Sequence, residues 1–214
     1  MQTEPVAESR RERKQRTRAD LLQAALLLLK DTGFSSLSLR EVSRGAGVVP
    51  TAFYRHFANM EELGLALVDE SFRTLRQMIR AARSETNPDH VIRSSVEILV
   101  RHVHEHRLHF RFIARERFGG VSALRQAIRS EIRLFSSELA TDLARFPYLS
   151  AWSTEDLHMM AGLIVNTMVS TAEEILDVPM DRPEIEDEIV RTVERQLRLV
   201  ALAVPNWRSS AGWA

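Results

Sequence analysis

The segment 50–57, whose sequence is PTAFYRHF, holds side chains that suit the edges of DNA bases. Arginine can donate two hydrogen bonds to guanine, and the methyl groups of threonine and alanine can contact the methyl group of thymine. If the segment is a short helix that buries its two phenylalanines, the side chains left to read bases are those of Thr51, Ala52, Arg55 and His56. Three further side chains suit the phosphate backbone of the same duplex, and these are Ser38, Arg44 and Tyr54.

A run of basic residues precedes this segment. Residues 10–18 carry a net charge of +5, and residues 9–56 contain ten Lys and Arg against four Asp and Glu. The rest of the chain is mildly acidic, so the formal net charge of all 214 residues is zero. Such asymmetry is typical of a surface that binds a polyanion. We expect Arg13, Lys14 and Arg18 to follow the DNA backbone or to enter a minor groove.

The chain beyond residue 90 is rich in apolar and aromatic side chains, among which Arg107, Arg111, Arg115 and Arg117 are interspersed. An apolar cavity beside arginines would fit an amphiphile with a phosphorylated head, because guanidinium groups make forked contacts with phosphate. The side chains expected to bind such an effector are Leu99, Val103, Phe110, Arg111, Phe112, Arg115, Phe118, Phe135, Leu139, Met159 and Leu163. Two simpler interpretations stay open: the apolar residues form an ordinary core, and the segment 115–117 is an internal ion-pair cluster.

Four histidines lie close together, at positions 102, 104, 106 and 109, and three of them (102, 106 and 109) share one helical face. A zinc-peptidase motif would need a histidine at position 108, which is Leu108, and no nearby Asp or Cys completes a ligand set. We therefore expect a solvated or cavity-lining face here rather than a metal site, which stays open as the alternative.

The sequence holds no motif for catalysis. It contains no cysteine, no glycine loop for phosphate, no nucleophile elbow and no organised pair of carboxylates. We therefore predict that the protein is not an enzyme and has no cofactor.

Helices must position all of these side chains, because glycine and proline are few (8 and 7) and strand-like alternation is nearly absent. Capping boxes at Ser38, Asn59 and Ser153, a cap at Ser122 and a left-handed stop at Gly33 predict several helix ends. The helices expected are 11–32, a short one from 39, 51–57, 60–84, 87–105, 107–118, 122–146, 153–177 and 183–204. The first is expected to bury Leu21, Leu22, Ala25, Leu28 and Leu29. The fold class is all-α, with a basic tail and three-helix head in 1–60 and a larger helical body of effector-binding and dimerisation helices in 61–214.

A glycine-containing turn between the second and third helices is typical of a helix-turn-helix. Two other interpretations stay open: a three-helix domain that does not bind DNA, and a basic amphipathic helix at an anionic membrane surface. The capping boxes favour a folded head over the membrane surface. No apolar stretch approaches the roughly 20 residues of a transmembrane helix, so we expect a cytoplasmic protein that does not insert into membranes.

The last two helices are expected to form the surface of a homodimer. Small side chains on the first of them permit close packing, namely those of Ala161, Gly162, Val165, Val169 and Ala172. The final helix carries an apolar stripe formed by Ile185, Ile189, Val193, Leu197, Val200 and Val204. The stripe could instead be core within one chain. A two-fold dimer predicts a palindromic double-stranded operator.

Several motifs in order resemble the N-terminal signature of TetR-family repressors: GFSSLSLREV from 33, AGV from 46, AFYRHF from 52 and EEL from 61. The resemblance implies a homodimer with one DNA-binding head per subunit and an effector pocket in the body. The chain has Met60 where many members have a lysine that contacts phosphate. Further motifs, including ELGL from 62, VDES from 68 and ARER from 114, resemble the FabR/DesT-type regulators of unsaturated fatty acid synthesis, which respond to long-chain acyl-CoA.

The predicted function is therefore a sequence-specific transcriptional repressor. Long-chain acyl-CoA is expected to modulate its operator affinity and so to control fatty acid desaturation or unsaturated fatty acid synthesis. The alternative is a TetR-type repressor of another operon, such as one for efflux, that senses a different hydrophobic ligand.

Overall fold

The computed structural model describes residues 9–85, 91–179 and 181–209, and the regular elements in those ranges are all helical, which confirms the all-α prediction. The nine α-helices described there are α1 (Arg10–Leu28), α2 (Leu39–Gly45), α3 (Pro50–Phe53), α4 (Met60–Glu85), α5 (Val91–Glu105), α6 (Arg107–Glu116), α7 (Ser122–Leu143), α8 (Thr154–Asp177) and α9 (Pro183–Ala203). Short 3₁₀ helices lie at Phe34–Ser36 and Val204–Asn206. The predicted start of the fifth helix, at 87–89, lies outside the described residues.

Side chains near the helix starts satisfy backbone donors that would otherwise lack partners. At α1, the Ser9 hydroxyl accepts the Glu12 amide at 3.2 Å, and the Glu12 carboxylate accepts the Ser9 amide at 2.8 Å. At α4, Asn59 Oδ1 accepts the Glu62 amide at 2.8 Å. The Glu62 carboxylate accepts the amide of Ala58 rather than that of Asn59, so the predicted box closes one residue earlier in the chain.

The predicted cap at α8 is present, and the one at α7 is wrong. The Ser153 hydroxyl accepts the Asp156 amide at 3.1 Å. At α7 the N-cap position is occupied by Val121, and Ser122 is the exposed first residue of the helix, with no side-chain cap. The chain therefore enters α7 one residue earlier than the polarity of Ser122 suggests.

Two predictions about the end of α1 are also wrong. Gly33 has φ −81°, so it is no left-handed stop, and α1 ends at Leu28 rather than at Thr32. The Thr32 hydroxyl donates to the carbonyl of Leu28 at 3.2 Å. Leu28 is 38% exposed, because it lies off the buried face of the helix. That face consists of Leu21, Leu22, Ala24, Ala25 and Leu26, with Leu29 following at the end.

One buried core runs through both predicted domains. It includes Phe53 and Phe57 from the segment around α3, Phe72 from α4 and Leu124 from α7. A Cβ atom at Gly64 in α4 would lie 2.7 Å from the ring of Phe34 and 3.0 Å from Leu124, so α4 approaches both neighbours closely. Because protein interiors are densely packed, a displacement of α4 would also shift the residues of the head that pack against it, such as Phe34.

α8 packs against α5, α6, α7 and α9. The apolar stripe of α9 is mainly core within the chain, which corrects its assignment to the dimer surface: Val193 and Leu197 are buried in a cluster with Val96 of α5. Of the small residues of α8, Ala161 and Ala172 are also buried within the chain. Apolar side chains that remain exposed on the two helices are Met159, Leu163, Leu199 and Leu202.

Candidate nucleic-acid interface and ligand cavity

The turn between α2 and α3 is built from local interactions. The Ser38 hydroxyl accepts the Glu41 amide at 3.3 Å, and the Glu41 carboxylate accepts the Ser38 amide at 3.0 Å. Gly47 has φ +67°, a conformation that favours glycine, and Pro50 occupies the first turn of α3. The Ser38 hydroxyl also donates a hydrogen bond to the Glu41 carboxylate at 2.6 Å, so its one hydrogen is not available to a phosphate.

α3 spans only Pro50–Phe53 and continues as a turn to Phe57, so it is shorter than the predicted helix 51–57. Phe53 and Phe57 are buried and hold this segment on the core. Thr51 and Arg55 are exposed, and Tyr54 is 63% exposed. Ala52 and His56 are half-buried. Among the predicted base-reading side chains, Thr51 and Arg55 therefore have the freest access to a groove.

The basic residues 10–18 form the first turns of α1 rather than an extended tail, because the Ser9–Glu12 capping box starts the helix before them. Entry of this run into a minor groove as an extended arm does not fit that geometry. Arg13, Lys14 and Arg18 are exposed. The Arg18 guanidinium lies 5.1 Å from the centre of the Phe57 ring, which places positive charge at the end of the α3 segment.

The pKa of His56 is sensitive to the positive charges around it. Partial burial lowers the pKa of its imidazole, and the positive charges of Lys14, Arg18 and Arg55 lower it further. Arg44, on the last turn of α2, is exposed as well. Basic side chains from α1, α2 and the α3 segment therefore lie on the head's surface, where they can meet phosphates.

A cavity of about 650 Å³ lies in the body among α4, α5, α6, α7 and α8. Its walls are almost entirely apolar, and its volume lies within the range of about 300–1,000 Å³ that is usual for small-molecule sites. Of the predicted effector residues, Leu99, Phe110, Phe135 and Leu139 line it. Sequence reasoning did not single out its contributors from α4, Phe72 and Leu75, because their spacing is that of ordinary core residues.

The other seven predicted effector residues do not line the cavity. Val103 and Phe112 are buried elsewhere in the core. Met159, Leu163 and Phe118 are exposed, Phe118 by 74% with its ring beneath the guanidinium of Arg117. Arg111 is half-buried and Arg115 is exposed, both on α6. A spacing of apolar residues along a helix predicts a face but not which neighbour covers it.

The rim of the cavity carries carboxylates that have arginine partners. Glu173 Oε1 lies 2.8 Å from Arg117 Nη1, and Asp142 Oδ1 lies 3.5 Å from Arg145 Nη1. Glu138 Oε1 lies 4.0 Å from Arg76 Nε, and Arg76 also pairs with Glu131. The Arg145 side chain lines the cavity and is 76% exposed, so its charge is accessible to a ligand.

Two arginines of α6, Arg107 and Arg115, bind backbone carbonyls in other parts of the chain. Arg107 donates to the carbonyl of Leu176, and Arg115 donates to the carbonyls of Thr32 at 2.7 Å and Leu29 at 3.3 Å. The alternative interpretation of an internal ion-pair cluster at 115–117 is therefore wrong, because Arg115 binds backbone carbonyls and Arg117 pairs with Glu173. Arg115 links the body to the C-cap of α1, Leu29, and to the turn that follows.

Glu116 forms a second link between α6 and the head. Its side chain is buried, and Oε1 accepts the amide of Phe34 at 2.8 Å. Gly119 lies against the carboxylate, since a Cβ atom there would come 2.1 Å from Oε2. α6 thus lines the cavity with Ile113 and holds the head with its next turn.

In the part of the chain that the structure describes, no helix is both long and apolar enough to cross a bilayer.

Several solved structures have the same fold as this chain. A TetR-family regulator from Streptomyces coelicolor is 21% identical, with a TM-score of 0.67 over 87% of this chain and 97% of that one. FadR from Bacillus subtilis in complex with stearoyl-CoA is 13% identical, with a TM-score of 0.63 over 85% and 96%. SmeT in complex with triclosan is 19% identical, with a TM-score of 0.66 over 87% and 90%.

Two family models match the chain. Residues 21–67 match the bacterial regulatory proteins of the tetR family, and residues 88–201 match the tetracyclin repressor-like C-terminal domain. The second match alone covers more than half of the chain, and the two together reach from the helix-turn-helix to α9. The protein is therefore a member of the TetR family, a DNA-binding transcriptional regulator.

Proposed function

We propose that this regulator binds a palindromic operator as a homodimer and that a long-chain acyl-CoA in the body cavity changes its operator affinity. The regulated genes would serve fatty acid desaturation or unsaturated fatty acid synthesis. The observation that carries the ligand proposal is the cavity of about 650 Å³, whose walls are mostly apolar and which, among the described residues that line it, has one exposed arginine, Arg145.

The apolar walls suit an acyl chain, because burying each methylene group contributes about 0.8 kcal/mol. Phe72, Phe110, Phe135 and Leu139 provide surfaces for such a chain from three helices, and Met168 adds a flexible side chain that fits variable shapes. The complex of Bacillus subtilis FadR with stearoyl-CoA supports an acyl ligand, although at 13% identity it shares only the fold with this chain. The FabR/DesT-like motifs support the same ligand class.

Two helices connect the cavity to the head. α4 lines the cavity with Leu75 and begins directly after the α3 segment. α6 lines it with Ile113 and holds the head through Arg115 and Glu116. A straight saturated chain and a bent cis-unsaturated chain would fill the cavity differently and displace these helices differently.

In a dimer, such displacements change the separation of the two α3 segments, which must match successive major grooves about 34–36 Å apart. The ligand acts only to the extent that it binds the two arrangements with different affinity. The dimer itself is proposed to form through α8 and α9, where Leu163, Leu199 and Leu202 are exposed.

A second candidate is a repressor of another operon, such as one for efflux, that senses a different hydrophobic molecule. The specific observation in its favour is that the cavity rim is not predominantly basic. Glu138, Asp142 and Glu173 line the cavity together with Arg145. The solved complex of SmeT with triclosan supports this alternative.

The test begins by selecting an operator from genomic fragments with the purified protein. Operator affinity is then measured by fluorescence anisotropy with stearoyl-CoA, oleoyl-CoA, triclosan or no ligand. The proposal expects the two acyl-CoA ligands to change the affinity by different factors. A response to triclosan alone would favour the second candidate, and equal affinity in all four conditions would reject ligand sensing while leaving the DNA-binding function intact.

Arg145→Ala tests the proposed headgroup contact, with Arg93→Ala as its control. Arg93 is an exposed arginine that pairs with Glu97 on α5 and does not line the cavity. Loss of a charge-assisted contact worth about 1.5 kcal/mol weakens acyl-CoA binding about tenfold. We expect that loss in Arg145→Ala only, and an equal loss in both variants would contradict the contact.

A further inference from the structure

We infer that His102, Glu105 and His106 form a binding site for a divalent transition-metal ion such as Zn²⁺. This site lies where α5 ends and α6 begins, and it is independent of the acyl-CoA proposal. One ligand atom from each of the three side chains lies within 4.8 Å of the other two. His102 Nδ1 and Glu105 Oε2 are only 2.9 Å apart.

The positions of the three residues explain why their side chains converge. Residues at i, i+3 and i+4 share one face of a helix, and 102, 105 and 106 have this spacing across the last turn of α5. His106 is the N-cap residue of α6, so its backbone direction changes there while its ring stays 6.0 Å from that of His102. Glu105, rather than an Asp or a Cys, provides the third ligand atom.

The ligand set has a definite chemistry. Two imidazole nitrogens and one carboxylate oxygen suit Zn²⁺, Ni²⁺ or Cu²⁺ far better than Mg²⁺ or Ca²⁺, which prefer oxygen ligands. In a tetrahedral site, metal–ligand bonds of about 2.0–2.2 Å place the ligand atoms about 3.3–3.6 Å apart. The ligand atoms here lie within 4.8 Å of one another, so the side chains must rotate to close on an ion. His102 and His106 are half-buried and Glu105 is exposed, so a hydrated ion can reach the site.

The neighbouring histidines are engaged elsewhere. His104 Nε2 lies 2.9 Å from a carboxylate oxygen of Glu186 on α9. His109 Nδ1 lies 2.9 Å from the hydroxyl of Ser71 on α4. The site is thus limited to three protein ligands with room for water or a further group, and His104 offers a matched control on the same helix.

The test uses the full chain without a histidine tag, stripped with chelator and titrated with Zn²⁺ alone. Native mass spectrometry counts the bound ions, and isothermal titration calorimetry measures affinity. We expect one Zn²⁺ per chain, a loss of affinity of at least about tenfold in His106→Asn, a smaller loss in Glu105→Gln, and unchanged affinity in His104→Asn. His106 and Glu105 are chosen because the His102 side chain is only 13% exposed, and circular dichroism verifies that each variant folds.

The absorption spectrum of the Cu²⁺-loaded protein provides a second measurement. Its visible band should shift in His106→Asn and stay the same in His104→Asn, since only the first replaces a nitrogen ligand. The inference is overturned if Zn²⁺ does not bind, if it binds His106→Asn as tightly as the original chain, or if His104→Asn loses as much affinity as His106→Asn.

Discussion

The buried link between Glu116 and Phe34 offers a direct test of how the body holds the head. Glu116 is 2% exposed, and its Oε1 accepts the Phe34 amide at 2.8 Å. Its Oε2 has no hydrogen-bond partner among the described residues. The side chain is therefore needed as an acceptor for one backbone amide, 82 residues away in the sequence.

Comparing Glu116→Ala with Glu116→Gln distinguishes the loss of the hydrogen-bond acceptor from the loss of the carboxylate group. The alanine leaves the Phe34 amide buried without a partner, which costs about 1–3 kcal/mol of unfolding free energy. The glutamine retains an oxygen acceptor, and its uncharged amide replaces an oxygen that already lacked a partner. We expect its effect to stay below about 1 kcal/mol. For a chain of this size, each kcal/mol corresponds to a change in melting temperature of about 2–4 °C.

Urea denaturation followed by circular dichroism measures these differences, at one protein concentration so that the proposed dimerisation contributes equally to each variant. Glu97→Ala is the control, since Glu97 is exposed and pairs with Arg93 one turn away, and such changes stay within about 0.5 kcal/mol. Gly119→Ala should destabilise in the same direction as Glu116→Ala, because its Cβ atom displaces the carboxylate. The reasoning is refuted if Glu116→Ala is as stable as the original chain, or if Glu116→Gln is as unstable as Glu116→Ala.

Three further predictions concern the head. Arg55→Ala should reduce the preference for operator over random duplex by about 1–3 kcal/mol, measured by competition binding, because one base contact is lost; an unchanged preference would remove Arg55 from base reading. Lys14→Ala should weaken binding to all duplexes alike and lower the slope of log affinity against log salt by about 1, and a sequence-dependent loss would contradict this. The pKa of His56 in the folded chain is below its ordinary value of 6.5, so between these two pKa values the unfolded chain binds more protons than the folded chain. The unfolding free energy should therefore fall as the pH drops from 6.5 toward the pKa of the folded chain. Urea midpoints across that window should show a weaker fall in His56→Gln, and an equal fall would assign it to other groups.

The helix-turn-helix could be predicted because its determinants are close neighbours in sequence. The Ser38–Glu41 capping box joins residues three apart, Gly47 supplies the one positive φ among the described residues, and Pro50 starts α3. Family motifs in the same stretch pointed to the TetR fold. A local cue failed at Gly33, since α1 had already ended at Leu28, where the Thr32 hydroxyl donates to the Leu28 carbonyl.

The sequence by itself determined that the chain is helical, that its basic surface lies in the first 56 residues and that a glycine turn sets the α3 segment. Only the tertiary structure decided that four of the eleven predicted effector residues line the cavity, that α5 packs on the apolar stripe of α9, and that Arg115 binds Thr32. The physical reason is range. A cap or a turn is stabilised by atoms within four residues, whereas the partner of Arg115 is 83 residues away and is set by how the helices pack together.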